Sequence, residues 1–154
     1  MRVLTPVVWT QDDTYVTEPK TPKTLKSPWA VLVVDDETSV RAFVSRVLQT
    51  VGYEVVVAGS GTEAIERFND MKRCDLVLTD LMMPQMNGDE LARRLRLEQP
   101  DLKVLYLTGF SDRLFAEKML LWEGEAYLDK PCSAKAVLEG ASLLLSGHIE
   151  SAIH

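Results

Sequence analysis

Four short apolar runs along the chain each lead into polar side chains. Val31-Leu32-Val33-Val34 leads into Asp35-Asp36, and Leu76-Val77-Leu78-Thr79 into Asp80. Val104-Leu105-Tyr106-Leu107 leads into Thr108, and Ala126-Tyr127-Leu128-Asp129 into Lys130-Pro131. Runs this apolar, with little polar alternation, predict strands buried on both faces, as in a parallel sheet covered by helices. With Tyr53 to Ala58 added, the predicted strands are 30–35, 53–58, 75–80, 103–108 and 126–129. Between them the apolar period changes to that of a helix. Val40, Phe43, Val44, Val47, Leu48 and Val51 form one stripe, with Gly52 closing the helix. Ser60-Gly61-Thr62-Glu63 has capping-box spacing and opens a helix presenting Ala64, Ile65 and Phe68. A third helix starts at Asp89 and must stop before Pro100. A fourth runs from a cap at Ser111 or Asp112 through Trp122, and a last from a cap at Ser133 to about Leu145. Gly140 inside the last helix costs ~1 kcal/mol relative to Ala, which blurs the prediction of its end.

Five β/α units in alternation predict an α/β fold: a doubly wound five-stranded parallel sheet in a three-layer α/β/α sandwich. In such a sheet the carboxyl ends of the strands converge on one ligand-binding crevice. That edge would gather Asp35, Asp36, Asp80, Thr108 and Lys130. Carboxylates so placed repel one another unless a divalent cation lies among them. The chemistry this suggests is Mg²⁺-assisted phosphoryl transfer onto Asp80. Taken singly, each residue has a plainer explanation. Asp35 and Asp36 could cap a helix, Asp80 could turn the chain, and Lys130 could be a solvated charge. Thr108 is a common strand residue, and Tyr127 a common core one. Their joint occurrence at matching strand ends favours a site.

Composition narrows the picture. The 154 residues, 46% hydrophobic and 26% charged, suit one globular domain with extensions. Residues 1–28 carry Pro6, Pro19, Pro22 and Pro28 among many Thr and Lys, so they are expected to form a disordered leader or linker. The domain then covers 29–146 and a short tail covers 147–154. A net charge of −6 argues against a nucleic-acid surface. Cys74 and Cys132 lie far apart without metal-ligand spacing, as expected of a reducing compartment. No stretch approaches ~18 apolar residues and no signal-peptide core is present, so a cytoplasmic location is expected, with no membrane contact. Neither G-x-G-x-x-G nor G-K-[ST] occurs.

Five motifs carry a resemblance: Val33-Val34-Asp35-Asp36-Glu37, Leu78-Thr79-Asp80-Leu81-Met82-Met83-Pro84, Asn87-Gly88, Leu107-Thr108-Gly109, and Tyr127-Leu128-Asp129-Lys130-Pro131. In this order and spacing they resemble the receiver domain of two-component response regulators, the family of the chemotaxis response regulator, over roughly residues 29–146. The resemblance implies the flavodoxin-like strand order 2-1-3-4-5. It implies that Asp80 is the phosphoacceptor, taking its phosphoryl group from phosphohistidine on a histidine kinase or phosphotransfer protein. An ionised carboxylate needs no general base for this step. By the same resemblance Asp36 binds Mg²⁺ directly, Asp35 works through a water, and Asp80 and the Met82 backbone carbonyl complete the ligands. Lys130 pairs with the phosphoryl group, and Pro131 follows it as a cis-proline. Thr108 is the switch hydroxyl, and the Tyr127 ring swings inward after it moves. Cys132 departs from the family, which often has Phe there; a buried, inert thiol is expected. Gly109 stands where Ala is frequent. Met82 and Phe110, two residues beyond Asp80 and Thr108, are expected to flank the hydrolytic water and lengthen the acyl-phosphate lifetime.

Two surfaces are candidate contacts. The predicted fourth helix, with Leu114, Phe115, Met119, Leu120, Leu121 and Trp122, has more apolar surface than one buried stripe needs. Part of it is expected to face outward beside strand 5 and the fifth helix, the face that family members use toward downstream partners; the alternative is a broad buried side with Trp122 near the surface. The helix after Asp36, with Arg41 and Arg46 on its polar side, is the candidate dock for a phosphohistidine donor; the alternative is a solvated face for both arginines. Little chain follows His148, so a stand-alone regulator or phosphate shuttle is expected. The alternative is the detached receiver of a hybrid histidine kinase, for which the leader would be a linker. A Mg²⁺-dependent aspartyl phosphatase would need a second acid at position 82, where Met82 stands. Enzymatic turnover beyond self-phosphorylation and autodephosphorylation is therefore not expected.

Overall fold

The computed structural model describes residues 29–109 and 124–147. Strand β1 is Ala30–Val34, β2 Glu54–Ala58, β3 Leu76–Asp80, β4 Lys103–Thr108 and β5 Glu125–Asp129. Between and after them lie helices α1 (Thr38–Gln49), α2 (Gly61–Asp70), α3 (Gly88–Glu98) and α4 (Ala134–Ser146). All strand pairs are parallel and the order is β2-β1-β3-β4-β5. The expected doubly wound α/β fold and its strand order are thus present. The helix expected between β4 and β5 lies outside the described residues, as do residues 1–28 and 148–154.

The alternation of strand side chains explains why the central strands carry no polar face. Leu32, Val34, Val77, Val104 and Tyr106 pack with Ala64, Phe68, Leu91, Ala92 and Leu95 of α2 and α3. Their neighbours Val31, Val33, Leu76, Leu78, Leu105 and Leu107 pack with Val44, Val47 and Leu48 of α1 and Val137 and Ala141 of α4. A period of two sends successive residues to opposite faces, and here both faces are covered. β5 differs from the expectation of a strand buried on both sides: it lies at the sheet edge and every residue keeps some exposure. Phe43 is a second correction. Expected in the buried stripe of α1, it stays 38% exposed while Val44, Val47 and Leu48 carry the contact.

Helix ends follow the local chemistry. Ser60 accepts the Glu63 N–H at 3.1 Å, and the Glu63 carboxylate reaches back to the Gly59 N–H at 2.8 Å. The returning arm thus lands one residue before the cap of the usual box. Ser133 accepts the Ala136 N–H at 3.0 Å. α4 ends at Gly147, whose φ of 82° places it in the left-handed region that glycine occupies without strain. Gly140 is explained by space: a Cβ there would stand 3.2 Å from Leu105 Cδ2. One polar network crosses the sheet end opposite the strand termini. Arg96 of α3 pairs with Glu125 of β5, and the Tyr106 hydroxyl donates to the same carboxylate at 3.1 Å. Burial, and then this carboxylate, push the Tyr106 phenol above its usual range.

Between β3 and α3 the chain turns tightly. Gln85 has a φ of 72°, and the Met86 N–H donates to the Pro84 carbonyl at 2.7 Å, closing a γ-turn. The Gly88 N–H then donates to the Leu81 carbonyl at 2.7 Å. A Cβ on Gly88 would run into the Asp80 carbonyl oxygen. Gly88→Ala is expected to destabilise the domain by ~1–3 kcal/mol, the cost of overpacking where backbone meets backbone. A thermal or urea melt measures this, and an unchanged midpoint would show that the turn has slack.

Candidate functional site

Backbone ladders bring the polar strand ends to one edge. In register, Val34 sits beside Thr79, Asp80 beside Leu107, and Thr108 beside Asp129. The ladders continue past the strands. Asp35 donates its N–H to the Ala58 carbonyl at 3.2 Å, Leu81 to Leu107 at 2.9 Å, and Lys130 to Thr108 at 2.7 Å. Asp35, Asp80 and Lys130 are therefore positioned by main-chain hydrogen bonds rather than by flexible loops. The Lys130–Pro131 peptide bond is cis.

The side chains form one charged cluster. Lys130 Nζ lies 3.0 Å from Asp35 Oδ2 and 3.4 Å from Asp80 Oδ1. Glu37 Oε1, on the exposed side, is also 3.4 Å away. Asp35 is wholly buried and Asp80 is 4% exposed. Burial raises the Asp35 carboxyl above its ordinary range, opposed by the Glu37 N–H and by Lys130. Burial, and then the charge of Asp35, push Asp80 up to about 7. Burial works against the charge of Lys130, yet the two carboxylates hold its ammonium above the ordinary lysine range.

Asp35, Asp36 and Asp80 each offer an oxygen within 4.8 Å of the others, a spacing that would fit one cation. Asp35 Oδ1 accepts the Glu37 N–H at 2.9 Å, whereas the buried Oδ2 has the Lys130 charge nearby but no directed hydrogen bond. An all-oxygen donor set with such an oxygen and excess negative charge suits a hard divalent ion that keeps some of its waters.

The other expected site residues have different surroundings. Thr108 is 1% exposed, and its hydroxyl donates to Asp129 Oδ1 at 3.1 Å. Tyr127 is 39% exposed on β5, and the Met82 side chain is 40% exposed in the exit loop. Phe110 lies outside the described residues. Cys132 is half-buried rather than buried, and partial burial raises its thiol. Arg41, expected to be available to a donor, is used internally: its guanidinium donates to the Asp35 carbonyl and, at 3.2 Å, to Thr38 Oγ1. Two acids carry roles that sequence reasoning passed over. Glu37 stands beside the acidic pair and faces Lys130, and Asp129 holds Thr108. The signal for Asp129 was its place at a strand end, in register with Thr108.

Residues 31–141 match the response regulator receiver domain family. The chain belongs to that family. It is 39% identical over 106 residues to the sensor kinase CckA of Brucella abortus, covering 68% of this chain and 11% of that kinase. It is 40% identical over 81 residues to the response regulator receiver protein CpdR of the same organism, covering 53% of this chain and 67% of that protein. Among solved structures it resembles the chemotaxis protein CheY4 of Vibrio cholerae, with a TM-score of 0.66 and 29% identity over 77% of this chain and all of that one. The receiver is thus a module found both in a response regulator and within a kinase, of which it spans about a tenth.

The metal-free pocket carries a pH signature. The Asp80 carboxyl, at about 7 in the fold, stands well above its ordinary value of 3.8. Between those values the folded chain binds more protons than the unfolded one, so stability falls as pH rises through the window. In chelator, Asp80→Asn is expected to melt several degrees above wild type at pH 8, since 1 kcal/mol is worth ~4 °C in a domain of this size. The gap should close as the pH drops toward ~4, near the unfolded pKa. Parallel melting curves across that range would contradict the assignment.

Proposed function

We propose that this receiver accepts a phosphoryl group on Asp80 from a phosphohistidine donor and signals by changing conformation. The observation that carries this reading is the single ammonium of Lys130 within 3.4 Å of both buried carboxylates, Asp35 and Asp80. A buried, nearly inaccessible acid matched to one lysine and two further acids is poor as a surface charge. It is well suited to receiving an anionic group whose charge must be neutralised.

An oxygen of the ionised Asp80 attacks phosphorus in line, the P–N bond to the donor imidazole breaks, and its electron pair stays on the imidazole nitrogen. Lys130 shifts its pairing from the carboxylates toward the arriving phosphoryl oxygens, a task suited to a mobile point charge. Asp35, Asp36, Asp80 and the Met82 carbonyl would hold Mg²⁺, which when bound neutralises charge on the phosphoryl oxygens. The transfer turns a carboxylate of one negative charge into an acyl phosphate of about two and sets three strong acceptor oxygens at one point. The Thr108 hydroxyl moves to a phosphoryl oxygen and Tyr127, now exposed, turns inward to bias the partner surface.

The partners are a histidine kinase or phosphotransfer protein upstream, and a protein downstream on the face formed with β5 and the final helix. The setting is cytoplasmic; among the described residues no helix is long and apolar enough to cross a membrane. A stand-alone regulator or shuttle is the first reading. The likeness to CckA supports the second, a receiver belonging to a hybrid histidine kinase.

Incubation with acetyl phosphate and Mg²⁺ is expected to add one phosphoryl group, read by intact mass, and Asp80→Asn or chelation of the metal to abolish it. Phosphorylation of the Asp80→Asn variant would mean that another acid is the acceptor. The double substitution Met82→Asn with Phe110→Glu is expected to speed hydrolysis of the acyl phosphate about tenfold, the factor that ~1.4 kcal/mol of barrier represents. Identical decay rates would remove the shielding role of these two side chains.

A further inference from the structure

Thr108 and Asp129 are paired in register across β4 and β5, so their side chains leave the same face of the sheet as neighbours. The Thr108 hydroxyl donates to Asp129 Oδ1 at 3.1 Å, with the Leu128 carbonyl at 3.4 Å as its other acceptor. A hydroxyl carries one proton to donate. While the proton serves Asp129, it cannot serve an oxygen on Asp80. A hydrogen bond to a carboxylate is also roughly twice as strong as one between neutral groups. The adjacent residue does the opposite: Lys130 turns its ammonium into the pocket, toward Asp35 and Asp80. The end of β5 thus sends one charge toward the acceptor and uses the other to hold the switch hydroxyl back.

We propose that Asp129 is a positioning residue for the response to phosphorylation, an anionic latch that keeps Thr108 on the β5 side until a stronger acceptor arrives. This rests on the receiver reading above. A phosphoryl group on Asp80 offers oxygens of higher charge than one carboxylate. The hydroxyl exchanges one anionic acceptor for another, and no covalent bond changes. Because the resting state already has a charge-assisted bond, only the difference between the two acceptors drives the switch. A ligand shifts a two-state equilibrium only by its differential interaction with the two states. Asp129 therefore keeps the unmodified chain in its resting state and sets the threshold for leaving it. A neutral side chain there would lower that threshold.

The probe is beryllofluoride with saturating Mg²⁺, a non-covalent stand-in for the phosphoryl group, with affinity measured by calorimetry. Asp129→Ala is expected to bind it about tenfold tighter than wild type, the scale of losing one hydrogen bond to a charged group. In a Thr108→Val background, or Thr108→Ala if that variant folds poorly, the same substitution should give no gain, because the latch acts only through the hydroxyl. The Thr108 methyl carbon shift in unliganded Asp129→Ala should also move toward its beryllofluoride-bound position. Equal gains in both backgrounds would reduce Asp129 to a long-range charge and overturn the latch, as would no gain in either. If wild type failed to bind the probe at all, the receiver reading would fall, and the latch with it.

Discussion

The ion pairing of Lys130 with Asp35 and Asp80 is the constraint around which the sheet edge is organised. Two carboxylates buried within reach of one another favour protonation, and burial does raise both. One ammonium placed 3.0 Å from the first and 3.4 Å from the second opposes this without cancelling it. The pocket retains an excess of negative charge and an oxygen with no directed hydrogen bond. Such an arrangement is costly in the resting protein, and a divalent ion would relieve that charge.

The fold supplies what the pairing requires. Parallel ladders place the ends of β1, β3 and β5 side by side, and the same ladders run on through Asp35, Leu81 and Lys130. Apolar layers on both faces of the sheet keep water from the carboxylates and fix the strands that carry them. The tight turn from Leu81 to Gly88 returns the chain at once to α3, with Gly88 against the Asp80 carbonyl. The polar network of Arg96, Glu125 and Tyr106 ties the opposite end of β5 to α3 and β4. An otherwise exposed edge strand is thereby anchored at one end and carries Asp129 and Lys130 at the other.

Much of this was legible along the chain. The apolar runs ending at Asp35, Asp80 and Thr108 locate β1, β3 and β4 to within about one residue, because double burial leaves a run with few polar interruptions. The caps at Ser60 and Ser133 were legible because their chemistry is local. Phe43 and Arg41 were not. A helical stripe does not reveal how wide the covering layer is, and the buried layer ends before Phe43. A polar helix face does not reveal which of its cations a nearby carbonyl will take, and Arg41 binds the Asp35 carbonyl rather than staying available to a donor.

The sequence by itself determined the alternation of strands and helices, the set of acids and the lysine, and through the motif spacing the receiver family. These follow from periodicity and from short-range chemistry that the chain order displays directly. Only the tertiary structure decided which acid each cation meets and where each hydroxyl points. Lys130 meets Glu37 across 93 positions of sequence, and Thr108 meets Asp129 across 21. Such contacts depend on strand register and side-chain packing, which long-range folding settles and local pattern does not encode.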